Sequence, residues 1–236
     1  MSQAGALSVA ENLERVQERI QAACQRAGRR DEVTLVAVTK LVAPDRIAEA
    51  YRVGVRHFGE NRVQEFEEKR QGLALPAATW HLVGHLQANK AKRAVELFER
   101  VDSLDSVRLA ERVATAAARL GRKLPVLIQV HLGEEPTKQG VEPARLVEVV
   151  ARIAPLEALG VKGLMTIPPY LDPPERVRPF FRRLRELAEE LERRRIPGVE
   201  MGELSMGMSH DFEVAIEEGA TQVRLGTALF GARPSR

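Results

Sequence analysis

Residues 33–39 read Val-Thr-Leu-Val-Ala-Val-Thr, and Lys40 follows them directly. An uninterrupted run of apolar and β-branched residues is typical of a strand that is buried on both faces, as strands in parallel sheets are. Pro44 and Asp45 then favour the start of a helix, which we expect to end near Gly54. This strand and helix form a unit that can be sought in the rest of the chain.

The same order of a short β-rich run and a helical pattern recurs along the chain. We place the other strands near residues 55–58, 80–83, 100–102, 125–131, 161–167, 203–205 and 222–225. An additional amphipathic helix, from about Leu7 to Ala27, precedes the first strand. Strict alternation of strands and helices implies parallel strands joined by right-handed crossovers.

Eight such units within roughly 200 residues suit a closed barrel. We therefore predict an α/β fold, a (β/α)8 TIM-type barrel with an extra N-terminal helix, in a single domain over residues 1–236. A doubly wound open sheet is the alternative. No glycine-rich dinucleotide turn follows the first strand, which disfavours that alternative.

Composition and charge exclude several other classes of protein. Hydrophobic residues make up 44% of the chain and charged residues 29%, which is typical of a globular protein. The 36 cationic residues are interleaved with 33 acidic ones, even in the most basic stretch, residues 176–195, so we expect no nucleic-acid partner. No apolar run reaches the length of a membrane span, and Cys24 is the single cysteine. We therefore expect a cytoplasmic protein without disulfides.

Functional sites in such barrels lie at the C-terminal ends of the strands, and Lys40 follows the most apolar of them. Asn61 follows strand two, and His131 with Lys138 follows strand five. Partial burial lowers the pKa of an ammonium group, and the neutral amine that results can attack an aldehyde. The alternative is a lysine whose amine reaches water past an apolar stem. The position of Lys40 alone does not separate these two interpretations.

Two loops near the C-terminus have the residue types of a phosphate site. Residues 205–209 read Ser-Met-Gly-Met-Ser after strand seven, and residues 224–227 read Arg-Leu-Gly-Thr after strand eight. Barrels often bind phosphate at these two loops through backbone N–H groups. We assign phosphate contacts to Ser205, Gly226 and Thr227. We interpret Ser209 as the N-cap of the next helix.

An amine and a phosphate cradle at one barrel mouth are what pyridoxal 5′-phosphate (PLP) requires. We therefore predict PLP bound as a Schiff base on Lys40. Arg224 could hydrogen-bond the pyridine nitrogen and keep it unprotonated, which weakens the ring as an electron sink. Asn61 could hold the 3-oxygen of the ring or flank the ring, although an asparagine before a helix is also a common N-cap.

A metal site is a weaker hypothesis. His81 and His85 have the i, i+4 spacing of zinc-binding helices, but residue 82 is Leu rather than a catalytic Glu. The segment also has the pattern of a strand, so we predict no metal.

Six blocks of the sequence resemble the YggS/PROSC family of PLP-binding proteins, also called PLP homeostasis proteins. The blocks are residues 36–40, 58–65, 80–90, 163–168, 204–212 and 223–231. The resemblance implies a barrel like the N-terminal domain of alanine racemase. It implies PLP on Lys40 and a ring-nitrogen partner at Arg224. It also implies phosphate contacts at Ser205, Gly226 and Thr227, while Asn61 and Met206 match residues that line the cofactor.

The resemblance further implies a role in holding and delivering PLP and balancing vitamin B6, without catalytic turnover. A PLP-dependent amino-acid racemase is the alternative. Such a racemase needs a second base on the far face of the ring, typically a tyrosine from an added β-domain, and we expect no such domain here. Tyr51 and Tyr170 do not occupy suitable positions. We expect a monomer that binds PLP, with PLP-dependent apo-enzymes as candidate partners.

Overall fold

A computed structural model describes residues 8–133 and 139–232 of the chain. Lys138 therefore lies outside the described residues. The strands are β1 (Thr34–Val38), β2 (His57–Glu60), β3 (Thr79–Leu82), β4 (Arg100–Leu104), β5 (Leu124–Val130), β6 (Leu159–Thr166), β7 (Val199–Met208) and β8 (Gln222–Leu225). The helices are α1 (Val9–Arg26), α2 (Pro44–Arg52), α3 (Val63–Arg70), α4 (Ala91–Leu97), α5 (Val107–Arg119), α6 (Leu146–Ile153), α7 (Arg178–Arg193), α8 (Phe212–Glu217) and α9 (Thr227–Phe230).

The eight strands pair in sequence order as parallel neighbours, and β8 closes on β1. Ala37 of β1 pairs with Phe58 of β2 on one side and with Leu225 of β8 on the other. The fold class, the order of the strands and the extra N-terminal helix are thus confirmed. That residues 1–236 form one domain stays a prediction.

Helix α1 completes the outer layer where the last barrel helix is short. It starts with a capping box, in which the Glu11 N–H donates to Ser8 Oγ (3.2 Å) and the Ser8 N–H donates to Glu11 Oε2 (2.8 Å). The helix packs against α2, α8 and α9, and the Asn12 side-chain amide donates to the Leu229 carbonyl at 3.0 Å. Because α9 has only four residues, α1 adds an apolar surface beside α9 in the outer layer.

Strand boundaries near the site differ from those predicted. β1 ends at Val38, one residue early, and β2 covers residues 57–60 instead of 55–58. β7 runs for ten residues to Met208, so residues 206–208 extend the strand instead of forming a loop. Gly207 permits this path because its φ is +91°, and a Cβ there would lie 2.6 Å from Ala215 Cβ of α8.

The barrel interior contains a row of hydrogen-bonded polar side chains, in contrast to the apolar filling common in such barrels. His57 Nδ1 lies 3.0 Å from His81 Nε2, and His81 Nδ1 lies 2.7 Å from the Asp102 carboxylate. Arg100 contacts both Asp102 (3.3 Å) and Glu203. His81 and Asp102 are completely buried. All of these side chains except Asp102 also line a cavity, together with Thr34 and Gln222, the first residues of β1 and β8.

Candidate functional site at the barrel mouth

Lys40 lies two residues beyond the C-terminal end of β1 and is half-buried. Its neighbours in the barrel are the ends of β8 and β2, because β1 pairs with both strands. Gly226 follows β8 directly, and Asn61 follows β2 directly. The closed barrel thus brings three of the predicted site residues to one mouth.

Ser209 lies at the turn after β8, although it belongs to the loop after β7. Its hydroxyl oxygen accepts from the N–H of Gly226 at 3.2 Å and from the N–H of Ala228 at 3.1 Å. Helix α8 begins at Phe212 with Asp211 as its N-cap residue, so the N-cap interpretation of Ser209 is wrong. A serine hydroxyl, two backbone N–H groups and the exposed Thr227 therefore meet at one point.

Asp211 closes the turn that carries Ser209. The Met208 N–H donates to Asp211 Oδ1 at 2.6 Å, and the Asp211 N–H donates to the Met208 carbonyl at 3.0 Å. Burial raises the pKa of Asp211, against the effect of the Met208 N–H. The turn is thus fixed from inside, and Ser209 is held against Gly226.

Arg224 provides a buried cation below the mouth. Its Nη1 donates to Ser205 Oγ at 2.8 Å, and its Nη2 donates to the Thr166 carbonyl at 2.7 Å. Burial lowers the pKa of Arg224 to about 10, while Asp102 and Asp211 act in the opposite direction. The side chain is therefore a guanidinium at neutral pH, held in one orientation by neutral acceptors.

Ser205 and Met206 lie deeper than predicted. Both side chains are completely buried. Ser205 faces the barrel interior, where its hydroxyl accepts from Arg224, while Met206 belongs to the continuous apolar core. The structure thus groups Ser205 with Arg224 and places Ser209 at the Gly226 turn. The phosphate contact of Ser205 and the cofactor contact of Met206 stay predictions.

Asn61 does not cap helix α3. The N-cap position of that helix is Arg62, and no side chain makes a capping hydrogen bond there. Gly84 packs directly on the Asn61 backbone, since a Cβ at residue 84 would lie 2.3 Å from the Asn61 carbonyl oxygen. A cleft of about 790 Å³ opens beside them and is also lined by Leu41 and Lys90. Asn61 is thus free of the competing capping role and faces a cavity.

Residues 12–234 match the family model of the alanine racemase N-terminal domain. The chain is 49% identical to the pyridoxal phosphate homeostasis protein of Aquifex aeolicus, covering 96% of this chain and 99% of that protein. It is 40% identical to the Escherichia coli K12 protein of the same name, with coverages of 95% and 97%.

The chain belongs to the pyridoxal phosphate homeostasis protein family.

Solved structures agree with this membership. PipY of Synechococcus elongatus PCC7942, solved with PLP bound, is 41% identical, with a TM-score of 0.83 and coverages of 95% of this chain and 100% of that one. Alanine racemase of Clostridium difficile 630 shares the fold at 18% identity and a TM-score of 0.73. This chain spans 58% of that racemase.

The family member described here has a second polar cluster, next to Lys40, that sequence reasoning missed. Glu60 is completely buried at the end of β2, and its Oε1 lies 2.6 Å from Lys69 Nζ. Glu65, one helical turn before Lys69 on α3, lies 3.2 Å from the same amine. The i, i+4 spacing of Glu65 and Lys69 was the available signal, but the register of β2 was needed to add Glu60.

Within residues 8–133 and 139–232, no group of three or more His, Cys, Asp or Glu side chains could hold a metal ion. His81 is engaged by Asp102 and His57, and His85 lies 3.2 Å from Asp105. In the same ranges, no helix is long and apolar enough to cross a membrane.

Proposed function

We propose that this protein holds PLP as a Schiff base on Lys40 and buffers or supplies it to other proteins, without a catalytic cycle of its own. One observation carries the proposal. Lys40, the buried Arg224 and the turn formed by Ser209, Gly226 and Thr227 come from consecutive strands of one barrel mouth. A primary amine, a cation and a set of hydrogen-bond donors to phosphate are the groups that bind an aldehyde carrying a phosphate arm.

Each residue then has a separate role. The Lys40 amine attacks the aldehyde carbon, a C=N bond forms and one water molecule leaves. Gly226, Thr227 and Ser209 bind the phosphate through backbone N–H groups and hydroxyls. Arg224 faces the ring nitrogen as a fixed cation, and Asn61 flanks the ring.

The deeper pair, Ser205 and Met206, supports this site from below. Ser205 orients Arg224 through its hydroxyl, and Met206 packs the strand that carries the Ser209 turn. PLP supplies an electrophilic carbon that forms a reversible covalent bond, which suits a carrier as well as an enzyme.

The relatives support the carrier role. Those of Aquifex aeolicus and Escherichia coli are named homeostasis proteins, and PipY was solved with PLP bound. The cytoplasmic location, the monomeric state and the apo-enzyme partners expected from the sequence stay predictions.

Neither tyrosine is held in a position that suits the second base of the racemase alternative. The Tyr51 hydroxyl accepts from the Ala77 N–H at 3.2 Å. Tyr170 lies against His210 in a tilted arrangement with ring centroids 4.5 Å apart, and it is 71% exposed. An exposed tyrosine is poorly held for proton transfer across a bound ring.

The function is tested by a transfer assay. PLP-loaded protein is mixed with a PLP-dependent apo-enzyme, with a trap present that removes free PLP. We expect the apo-enzyme to gain activity despite the trap, and we expect no racemisation of alanine or serine above that of free PLP. Activity that the trap abolishes would contradict delivery, and racemisation that Tyr170→Phe removes would establish the enzyme.

Thr227→Ala and Ser209→Ala test the phosphate turn. Each is expected to weaken PLP retention by about 1 kcal/mol, roughly fivefold in Kd, because one hydroxyl contact is lost. Equilibrium dialysis with PLP measures the change. Thr115→Ala serves as the control, since Thr115 is exposed on α5 and its hydroxyl donates to the Glu111 carbonyl of the same helix. If both variants retain PLP as the control does, the turn is not the phosphate site.

A further inference from the structure

Lys40 lies in a tight turn with an unusual backbone conformation. The Val42 N–H donates to the Thr39 carbonyl at 2.9 Å, which closes a turn with Lys40 and Leu41 at its centre. Leu41 has φ +59°, a left-handed conformation that normally favours glycine or asparagine. A leucine held in this conformation requires support from outside the turn.

Lys69 and Glu65 of helix α3 provide that support. They contact the peptide groups on both sides of Lys40. On the N-terminal side, Lys69 Nζ donates to the Thr39 carbonyl at 2.8 Å. On the C-terminal side, the Leu41 N–H donates to Glu65 Oε1 at 2.7 Å. Because these two groups belong to the peptide bonds on either side of the Lys40 Cα, the pair fixes the point from which the Lys40 side chain starts.

Glu60 anchors the cluster in the barrel wall. Its Oε1 accepts hydrogen bonds from the Thr39 hydroxyl at 2.7 Å and from the Lys69 amine at 2.6 Å. Burial raises the pKa of Glu60, against the effect of Lys69. Burial also acts to raise the pKa of Glu65, but the Leu41 N–H and Lys69 outweigh it, and the net pKa is lowered. Glu65 is thus the ionised acceptor that holds the strained residue.

We propose that Glu65 and Lys69, anchored by Glu60, are positioning residues that clamp the Lys40 turn and so set the rate at which the Lys40 amine captures PLP. The inference rests on the proposed function. Reaction with the aldehyde needs the amine within a narrow range of distance and angle, and small displacements slow such steps strongly. The clamp contacts the peptide groups on either side of Lys40, whereas the phosphate turn follows β7 and β8.

Glu65 permits a test by paired substitution. Glu65→Gln keeps an oxygen for the Leu41 N–H, while Glu65→Ala removes it. Stopped-flow absorbance of apo-protein mixed with PLP is expected to give a rate constant of Schiff base formation about tenfold lower in Glu65→Ala and within about twofold of wild type in Glu65→Gln. Glu67→Ala is the matched control, since Glu67 lies on the same helix and pairs with Arg93 instead.

A non-covalent probe separates positioning from general damage. Pyridoxine 5′-phosphate has the ring and the phosphate but no aldehyde, so its binding reports on the cradle alone. Its Kd is expected to be unchanged in Glu65→Ala and in Lys69→Met, while Schiff base formation slows in both. If Lys69→Met fails to fold, the comparison of Glu65→Ala with Glu65→Gln still tests the clamp.

Three outcomes would overturn the clamp. Glu65→Ala could react as fast as wild type, Glu65→Gln could react as slowly as Glu65→Ala, or both variants could lose pyridoxine 5′-phosphate and PLP in parallel. The first outcome, with normal Schiff base formation in wild type, removes the clamp and leaves the proposed function standing. Wild-type protein that forms no Schiff base removes the proposed function itself.

Discussion

Lys40→Ala is expected to abolish the visible absorption band of protein-bound PLP and to leave no PLP on the protein after gel filtration. Without the amine, only the phosphate and ring contacts remain, and a small phosphate ester held by a few hydrogen bonds at an open mouth exchanges freely. Absorbance spectra of the loaded and filtered protein measure the loss. The effect should be complete, because a C=N bond cannot form without a primary amine at this position.

Lys92→Ala is the control for this experiment. Lys92 is a lysine of α4 with an 80% exposed side chain, paired loosely with Glu96 at 4.0 Å, so its loss should leave the band unchanged. Borohydride reduction of the loaded wild-type protein followed by peptide mapping then identifies the modified lysine directly. A band that survives in Lys40→Ala, or a label on another lysine, would refute the assignment.

The fold could be predicted because its signal repeats. The apolar run before Lys40 and the alternation of strands with helices determine a parallel barrel even where single strands are weak. Boundaries were less well determined. β7 extends through Gly207, whose positive φ and tight contact with α8 depend on a neighbouring element that the local pattern does not contain.

Prediction of the site was limited for the same reason. Lys40, Asn61 and Gly226 lie just beyond the ends of β1, β2 and β8, as the strand pattern predicted, whereas Arg224 lies within β8. The contact of Ser209 with the Gly226 turn could not be predicted, since it depends on where β7 ends. Glu60 was missed because a two-residue error in β2 turned a buried strand residue into a loop residue.

The buried carboxylate of Asp102 is the second position where a large effect is expected. Its side chain is completely buried, with one oxygen on His81 (2.7 Å) and the other on Arg100 (3.3 Å). Burial acts to raise its pKa, but His81 and Arg100 outweigh it, and the net pKa is lowered. Since a carboxylate only accepts hydrogen bonds, His81 donates to Asp102 from Nδ1.

Asp102→Asn keeps the size of the side chain and removes its charge. Arg100, which is largely buried, then loses one of its two carboxylate partners. The fully buried Arg224 loses one of the two negative charges that oppose the effect of burial on its pKa. Breaking a buried ion pair from one side costs about 3–5 kcal/mol, and we expect urea unfolding of the apo-protein to show a loss in that range. Asp45→Asn is the control, because Asp45 is exposed in the first turn of α2. This substitution should lower the free energy of unfolding by at most about 1 kcal/mol.

The pH dependence of stability distinguishes the charge of Asp102 from its shape. A carboxyl group whose pKa is lowered in the folded state contributes stability that is present above its unfolded pKa and is lost as the pH falls through the lower, folded value. Wild type should therefore lose stability more steeply than Asp102→Asn on acidification below about pH 4, the ordinary carboxyl range. The two unfolding curves should converge in acid. Parallel curves across that range would show that Asp102 acts through packing. The stability of the row of polar side chains in the barrel interior would then not depend on the charge of Asp102.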